Sequence, residues 1–179
     1  MKKRCSWCNE NNPIYVKYHD EEWGVPTFDD HVLLEFLILE PFQAGLSWEI
    51  ILNKREAFRE AFANYDRNQI CEFGNNEIVQ MMNNAKIVRN RRKIEAAINN
   101  TRIFGEIQKE WGTFSDYIWH FTDRKVIYET GKTSSLLSDQ VAKDFKRRGM
   151  KFIGTTTAYS YLQAIGIIYS HEATCDLRK

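Results

Sequence analysis

The sequence predicts an all-α fold, a single compact helical domain spanning residues 1–179, on three observations. Apolar residues recur at helical spacing from the first third of the chain to the last. Capping residues or glycine stand at the ends of those periodic runs. There are only 3 prolines in 179 residues, no repeats, and one short stretch with strand character. Hydrophobic residues make up 43% of the chain and aromatics 13%, enough for a real core.

The elements follow in order. Asp29 and Asp30 open an apolar run from Val32 to Leu39 that is hydrophobic around most of its circumference, the mark of a central helix. Gly45 breaks the chain, and Ser47 caps a helix running through Trp48, Ile51, Leu52, Phe58 and Phe62. Asp66-Arg-Asn-Gln69 reads as a capping box for a short helix ending near Gly74, and Asn75 or Asn76 starts another reaching Asn83. A long helix begins near Val88 with Ile94, Ala97, Ile98 and Phe104 inward. Thr113-Phe-Ser-Asp116 opens a helix bearing Tyr117, Ile118, Trp119 and Phe121. Residues 123–137 read as irregular, with a short strand at Lys125–Tyr128. Ser138 caps a basic helix stopped by Gly149, and Thr155–Thr157 open a last helix extending to Ile168.

No apolar run approaches the roughly 18 residues of a membrane span, and Met-Lys-Lys-Arg-Cys leads into no apolar signal segment. The expectation is a soluble, cytoplasmic protein with reduced thiols and no membrane partner. Net charge is only +1, so nucleic-acid binding requires a local patch. Two stretches qualify: Lys86, Arg89, Arg91, Arg92 and Lys93, and then Lys143, Lys146, Arg147, Arg148 and Lys151. A solvated helix face is the ordinary fate of such runs.

Thiols and imidazoles sit at both ends of the chain. His171 and Cys175 are one helical turn apart, so both side chains can meet one point. Cys5 and His19 need a turn between them, which Pro13 permits, and Cys8 makes Cys5-Ser-Trp-Cys8 a second candidate pair. Five donors thus compete for the four places of a tetrahedral zinc that would join the termini. A disulfide or redox role for the CxxC is disfavoured, because no βαβ pattern surrounds it.

Glu40 ends the most apolar helix, where a carboxylate is costly unless paired. The turn that follows, Gln43-Ala-Gly-Leu46-Ser-Trp48, carries Leu46 at its tip, either ordinary packing or a wedge between base pairs. Trp7, Tyr15, Tyr18 and Trp48 surround Glu40 in sequence, as core residues or as the walls of a site for a flat cation. From Ile78 to Ile94, two helices meet at Asn84-Ala-Lys86-Ile87, followed by basic residues. This is a plain αα-hairpin or a helix–hairpin–helix whose backbone amides face a phosphate.

These segments, taken in order, resemble the DNA-3-methyladenine glycosylase I family of helix–hairpin–helix glycosylases. The matching residues are Arg4-Cys5-Ser-Trp7, Tyr18-His19-Asp20, Glu22-Trp23-Gly24, Glu40 with Gln43-Ala-Gly-Leu-Ser-Trp48, Lys151-Phe152-Ile-Gly154-Thr, and Gln163-Ala164 with His171 and Cys175. Together they cover nearly the whole chain. The resemblance implies a glycosylase fold of one domain, with room for two lobes around a base pocket and the hairpin at about 78–100. It implies excision of N3-methyladenine from alkylated double-stranded DNA, with the free base as product. It implies one structural zinc held by Cys5, His19, His171 and Cys175, leaving Cys8 aside, and a base pocket of Trp7, Tyr15, Tyr18, Glu40 and Trp48. Glu40 and Tyr18 would act on the base, Leu46 would fill the duplex, and Lys86, Arg89, Arg91 and Arg92 would grip DNA. The expected state is a monomer. Two features depart from the superfamily pattern: Lys86 stands where glycine is usual at the hairpin turn, and no residue reads as the usual catalytic aspartate, Asp116 being a helix cap. The competing readings are a zinc-stabilised DNA-binding module without catalysis and a glycosylase for another lesion.

Overall fold

At the centre of the computed structural model, which describes residues 2–179, lies helix α2 (Asp30–Phe42), buried on every face from Leu33 to Phe42. Asp29 caps it by accepting from the His31 amide, and Pro41 is accommodated in its last turn. Around it pack α4 (Arg55–Ala61), α7 (Arg91–Trp111), α8 (Phe114–His120) and α10 (Thr155–Ala164). The remaining helices are α1 (Pro13–Glu21), α3 (Trp48–Asn53), α5 (Arg67–Glu72), α6 (Asn75–Asn83) and α9 (Leu136–Arg147). Buried side chains from all these helices meet in one core, to which α1 gives Tyr15 and Tyr18 and α3 gives Trp48, Ile51 and Leu52.

Several sequence expectations change in physical detail. Pro13 does not turn the chain; it occupies the first position of α1, where its missing N–H costs nothing, and Asn12 caps the helix. The helix expected from Ser47 to Phe62 is two, broken at Lys54 and followed by left-handed residues Ala63, Asn64 and Tyr65. The long helix begins at Arg91, because the Asn90 side chain accepts from the Lys93 amide and fixes the start there. Ser135, not Ser138, caps α9; Ser138 completes the box by accepting from the Ser135 amide at 2.8 Å. The last helix stops at Ala164, and Ile168 lies in a strand. Strand β2 (Ile168–Tyr169) pairs in parallel with β1 (Ile127–Tyr128) in a two-stranded sheet that the helical reading of this segment missed. The break comes at Gly166, whose φ is 77° and where a Cβ would collide with the Val25–Pro26 backbone.

The hairpin connection between α6 and α7 settles one departure. No residue from 84 to 90 has positive φ, so Lys86 takes its place there without strain. Its amide is accepted by the Asn84 side chain at 3.0 Å.

The termini meet through main-chain and side-chain bonds. Lys3 N donates to Asp176 Oδ2 at 2.8 Å, and Asp176 N to Lys3 O at 2.9 Å. Ser6 donates from its amide and its hydroxyl to the two Glu172 oxygens, each at 2.7 Å. A second tie joins α1 to the central helix. Buried Glu35 accepts from Arg55 Nε at 2.7 Å and from Arg59 Nη2 at 3.2 Å, and Arg55 Nη1 reaches Glu22 at 2.8 Å. Burial alone would raise the Glu35 carboxyl; the hydrogen bonds and charge of Arg55 and Arg59 outweigh it and hold Glu35 below the usual range.

Candidate active site

A cavity of about 430 Å³ opens where α1, the end of α2, the start of α3 and α10 converge. Tyr15 and Tyr18 reach it from one face of α1, three residues apart, and Trp7 packs on Tyr15 with ring centroids 5.4 Å apart. Trp48 enters from the first position of α3 and lies 5.6 Å from the Tyr18 ring. Glu40 comes from the last turn of α2. All five residues assigned to the base pocket on sequence therefore line one cavity.

Glu40 is the anomaly in this wall. It is 4% exposed, and its Oε2 has no hydrogen-bond partner among the described residues. Burial, with no compensating partner, pushes its carboxyl up to about 8. The contrast with Glu35, five residues earlier on the same helix and held by two arginines, shows that this helix can pair a carboxylate and at Glu40 does not. Trp48 Nε1 is likewise buried and unpaired. Burial raises the Tyr18 hydroxyl well above its ordinary range, and the neighbouring Glu40 adds to the effect. At neutral pH the aromatic end of the cavity thus holds a protonated phenol and a carboxyl waiting for a counter-charge.

The polar part of the cavity lining was not foreseen. Ser160 and Gln163 line it from α10, and Lys132 and Ser170 come from the segments after β1 and β2. Trp23 also belongs to the wall, 4.8 Å from Trp7 edge to face. Ser160 and Gln163 are polar residues three apart in the apolar part of α10 that follows Thr157, and that spacing was the available signal. Lys132 and Ser170 depend on the β1–β2 pairing, which sets Ile127 beside Ile168 and Tyr128 beside Tyr169.

Beside the aromatic wall, Cys5, His19, His171 and Cys175 are all buried, and one donor atom of each lies within 4.8 Å of the others. Cys175 Sγ is 3.4 Å from His171 Nδ1 and 3.7 Å from His19 Nε2, and Cys5 Sγ is 3.5 Å from His171 Nδ1. Metal bonds of about 2.3 Å to sulfur and about 2.1 Å to nitrogen put tetrahedral donors ~3.6 Å apart, so the set fits a tetrahedral ion. The outward ring nitrogens are held as metal-bound imidazoles usually are: His19 Nδ1 lies 2.8 Å from Asp20 Oδ1, and His171 Nε2 lies 3.3 Å from the Trp23 carbonyl. Arg4 grips that same Asp20 with two donors, at 3.0 and 2.9 Å. Burial pushes the Cys5 thiol up to about 12 and the His171 imidazole down to about 4. A bound dication would reverse the first effect by favouring the thiolate. Cys8 stands outside the cluster; it is buried with its Sγ 3.9 Å from the Tyr15 carbonyl. The cluster also supports the cavity: Trp7 packs against His19 at 5.1 Å, and Trp23 against His171 at 4.8 Å.

The residues expected to meet DNA are on the surface. Leu46 sits at its turn, 38% exposed, next to Gly45 at φ 82°. Lys86, Arg89, Arg91 and Arg92 are exposed at the connection and the first turn of α7, and only Arg91 among them makes an ion pair among the described residues, with Glu95 at 3.0 Å. Lys93, in the same basic run, turns inward and is buried. The second basic run is partly compensated, since Arg147 and Arg148 pair with Asp144, and Arg148 with Glu110 as well.

The helical frame around the aromatic cavity is that of a helical DNA glycosylase. This chain belongs to the methyladenine glycosylase family, whose model matches residues 7–179. It is 39% identical to a DNA-3-methyladenine glycosylase of Haemophilus influenzae over 98% of this chain and 97% of that one. Its fold superposes on a crystal structure of 3-methyladenine DNA glycosylase I with a TM-score of 0.94, at 37% identity, covering 99% of this chain and 100% of the other. A second solved structure, a variant of such an enzyme in complex with 3-methyladenine, gives a TM-score of 0.92 at 32% identity over 97% of this chain and 96% of that one.

Proposed function

We propose that this chain is a DNA-3-methyladenine glycosylase of base-excision repair, which draws an N3-methyladenine nucleotide out of alkylated double-stranded DNA and hydrolyses its N-glycosidic bond. The observation that carries this reading is Glu40, a buried carboxyl with no partner inside an aromatic cavity. Neutral adenine offers it nothing electrostatic. N3-methylated adenine in DNA is a cation, and in a dry cavity its charge favours ionisation of the carboxyl beside it. Glu40 would accept from the N6 amino group, Trp7 and Trp48 would contact the ring faces, worth up to about 2 kcal/mol when desolvated, and Tyr18 and Tyr15 would border the base or sugar. Extrusion costs roughly a few kcal/mol, less for a damaged base.

The chemistry asks little of an acid. As the bond from C1′ to the base breaks, the electron pair neutralises the positive ring, so the base leaves without a proton. Water forms the new bond at C1′ and loses a proton to solvent. Selection and positioning then supply most of the catalysis, and no aspartate is required for leaving-group protonation.

Leu46 would fill the space left in the duplex, and Lys86, Arg89, Arg91 and Arg92 would hold phosphates as a helix–hairpin–helix over about 78–100. One zinc, bound by Cys5, His19, His171 and Cys175, would be structural, because four protein ligands leave no position for a reactant. The enzyme would act as a monomer of one domain with two lobes around the pocket.

Chromatography of the bases freed from methylated duplex DNA tests the reading. Free 3-methyladenine is the expected product. Release of a different base alone would make the protein a glycosylase for another lesion, and DNA binding without release would make it a binding module. Glu40→Gln should lower excision, and full activity in that variant removes Glu40 from the mechanism.

A further inference from the structure

Lys93 is the exception among the basic residues that open α7. Its neighbours Arg91 and Arg92 are exposed, while Lys93 is 7% exposed and makes no ion pair among the described residues. A lysine is rarely buried without a partner. Here the partners are two carbonyls: Nζ donates to Phe42 O at 3.1 Å and to Ala44 O at 2.8 Å. Phe42 is the last residue of α2, whose final turn contains no basic residue of its own. Lys93 therefore supplies, from another helix, the cation and the donors that a helix C-terminus lacks.

What it ties down is the turn bearing Leu46. That turn has few bonds of its own: Gln43 N to Glu40 O at 3.1 Å, and Leu46 N to Gln43 O at 2.7 Å. Beyond it, the Ser47 hydroxyl accepts from the Ile50 amide at 3.3 Å and fixes the start of α3. Gly45 has nothing within 4 Å of where a Cβ would lie, so packing does not hold the tip. The tether from Lys93 links the turn to the helix whose first turn carries Arg91 and Arg92.

We propose that Lys93 is a positioning residue that locks the Leu46 turn to the first turn of α7, so that duplex entry and backbone grip occur as one rigid unit. This rests on the glycosylase reading above. Lys93 does not line the base cavity. Its effect should appear on duplex substrate and not on the free base.

Lys93→Met keeps the aliphatic stem and removes the donors; Lys93→Arg keeps the charge. Titration of tryptophan fluorescence with free 3-methyladenine reads the pocket, and release of 3-methyladenine from methylated duplex DNA reads the coupled unit. For Lys93→Met the expected result is free-base affinity within roughly twofold of wild type, with kcat/KM on duplex lower by roughly 10- to 100-fold. Lys93→Arg should recover most of that loss, and Lys93→Gln, with a shorter neutral donor, should fall between. In a Leu46→Ala background, Lys93→Met should cost little more, because the turn it holds no longer carries its side chain. Wild-type kcat/KM in both the Met and Gln variants overturns the proposal, as does a proportional loss of free-base affinity or an undiminished loss in the Leu46→Ala background. A wild-type protein that frees no 3-methyladenine would defeat the glycosylase reading itself, before any variant is compared.

Discussion

Replacing Glu40 by glutamine should stabilise the unliganded protein at neutral pH while weakening its function, and the stabilisation should depend on pH in one direction. The folded carboxyl titrates at about 8 against an ordinary value of 4.5. A carboxyl raised by folding binds more protons in the native state than in the unfolded one, so its presence costs stability as pH rises through this window. Below about pH 4.5 both states are protonated and the cost vanishes. Between the two values it grows by about 1.4 kcal/mol per pH unit, reaching about 3 kcal/mol at pH 7, and it is constant above pH 8. Glutamine carries no such titration. For a domain of this size each kcal/mol moves Tm by roughly 2–4 °C, so Glu40→Gln should melt roughly 6–12 °C higher than wild type at pH 7 and nearly equal to it at pH 4.5. All other titrating groups are shared and cancel in the difference. Calorimetric melts of both proteins from pH 4.5 to 8.5 measure it directly. A Tm difference that is flat across the range, or that favours wild type at pH 7.5, would refute the claim that Glu40 is buried without a partner.

Three further outcomes are expected. Elemental analysis of protein purified without chelator should find about one zinc per chain, and its removal should lower Tm and free-base affinity together because Trp7 and Trp23 pack on the histidines; protein containing no metal excludes the terminal zinc. Charge removal at Arg89 or Arg92 should weaken duplex binding irrespective of sequence and reduce the salt slope by about one unit per residue, without changing free 3-methyladenine affinity; an unchanged slope places DNA elsewhere. Gly166→Ala should destabilise by at least about 3 kcal/mol in denaturant melts, since it adds a clash with the Val25–Pro26 backbone to a left-handed φ; a loss under about 1 kcal/mol would show that the loop relaxes freely.

Helix positions were legible wherever the signal was local. The apolar run of α2, Ser47 before α3, Asp66 before α5 and Thr113 before α8 all stand where periodicity and caps put them. Errors arose where a local signal had two readings. Pro13 serves a turn or a first helical turn equally well; serines at 135 and 138 both satisfy a capping box; and the residues after Ala164 continue a helical pattern that only the close approach of Gly166 to another segment interrupts. In the candidate site, the aromatic and acidic residues were visible from their crowding in sequence and their family pattern. The polar wall at Lys132 and Ser170 was not, because its members reach the cavity only through the pairing of β1 with β2.

The sequence by itself determined the helical class, the family and the chemical inventory: three thiols and two imidazoles at the ends, one carboxyl among aromatics, one basic connection. Those are properties of residue type and short-range spacing, which the chain carries before it folds. Only the tertiary structure brought the four terminal donors within 4.8 Å of one another, turned one lysine of the basic run inward, and left one of two carboxyls on α2 unpaired. Each of these depends on groups far apart in sequence, Cys5 with Cys175, Lys93 with Ala44, Glu35 with Arg55, and on the desolvation that packing imposes on them. Burial without a partner is what sets Glu40 apart from an ordinary acidic residue near tryptophans and underlies its proposed role as a detector of positive charge.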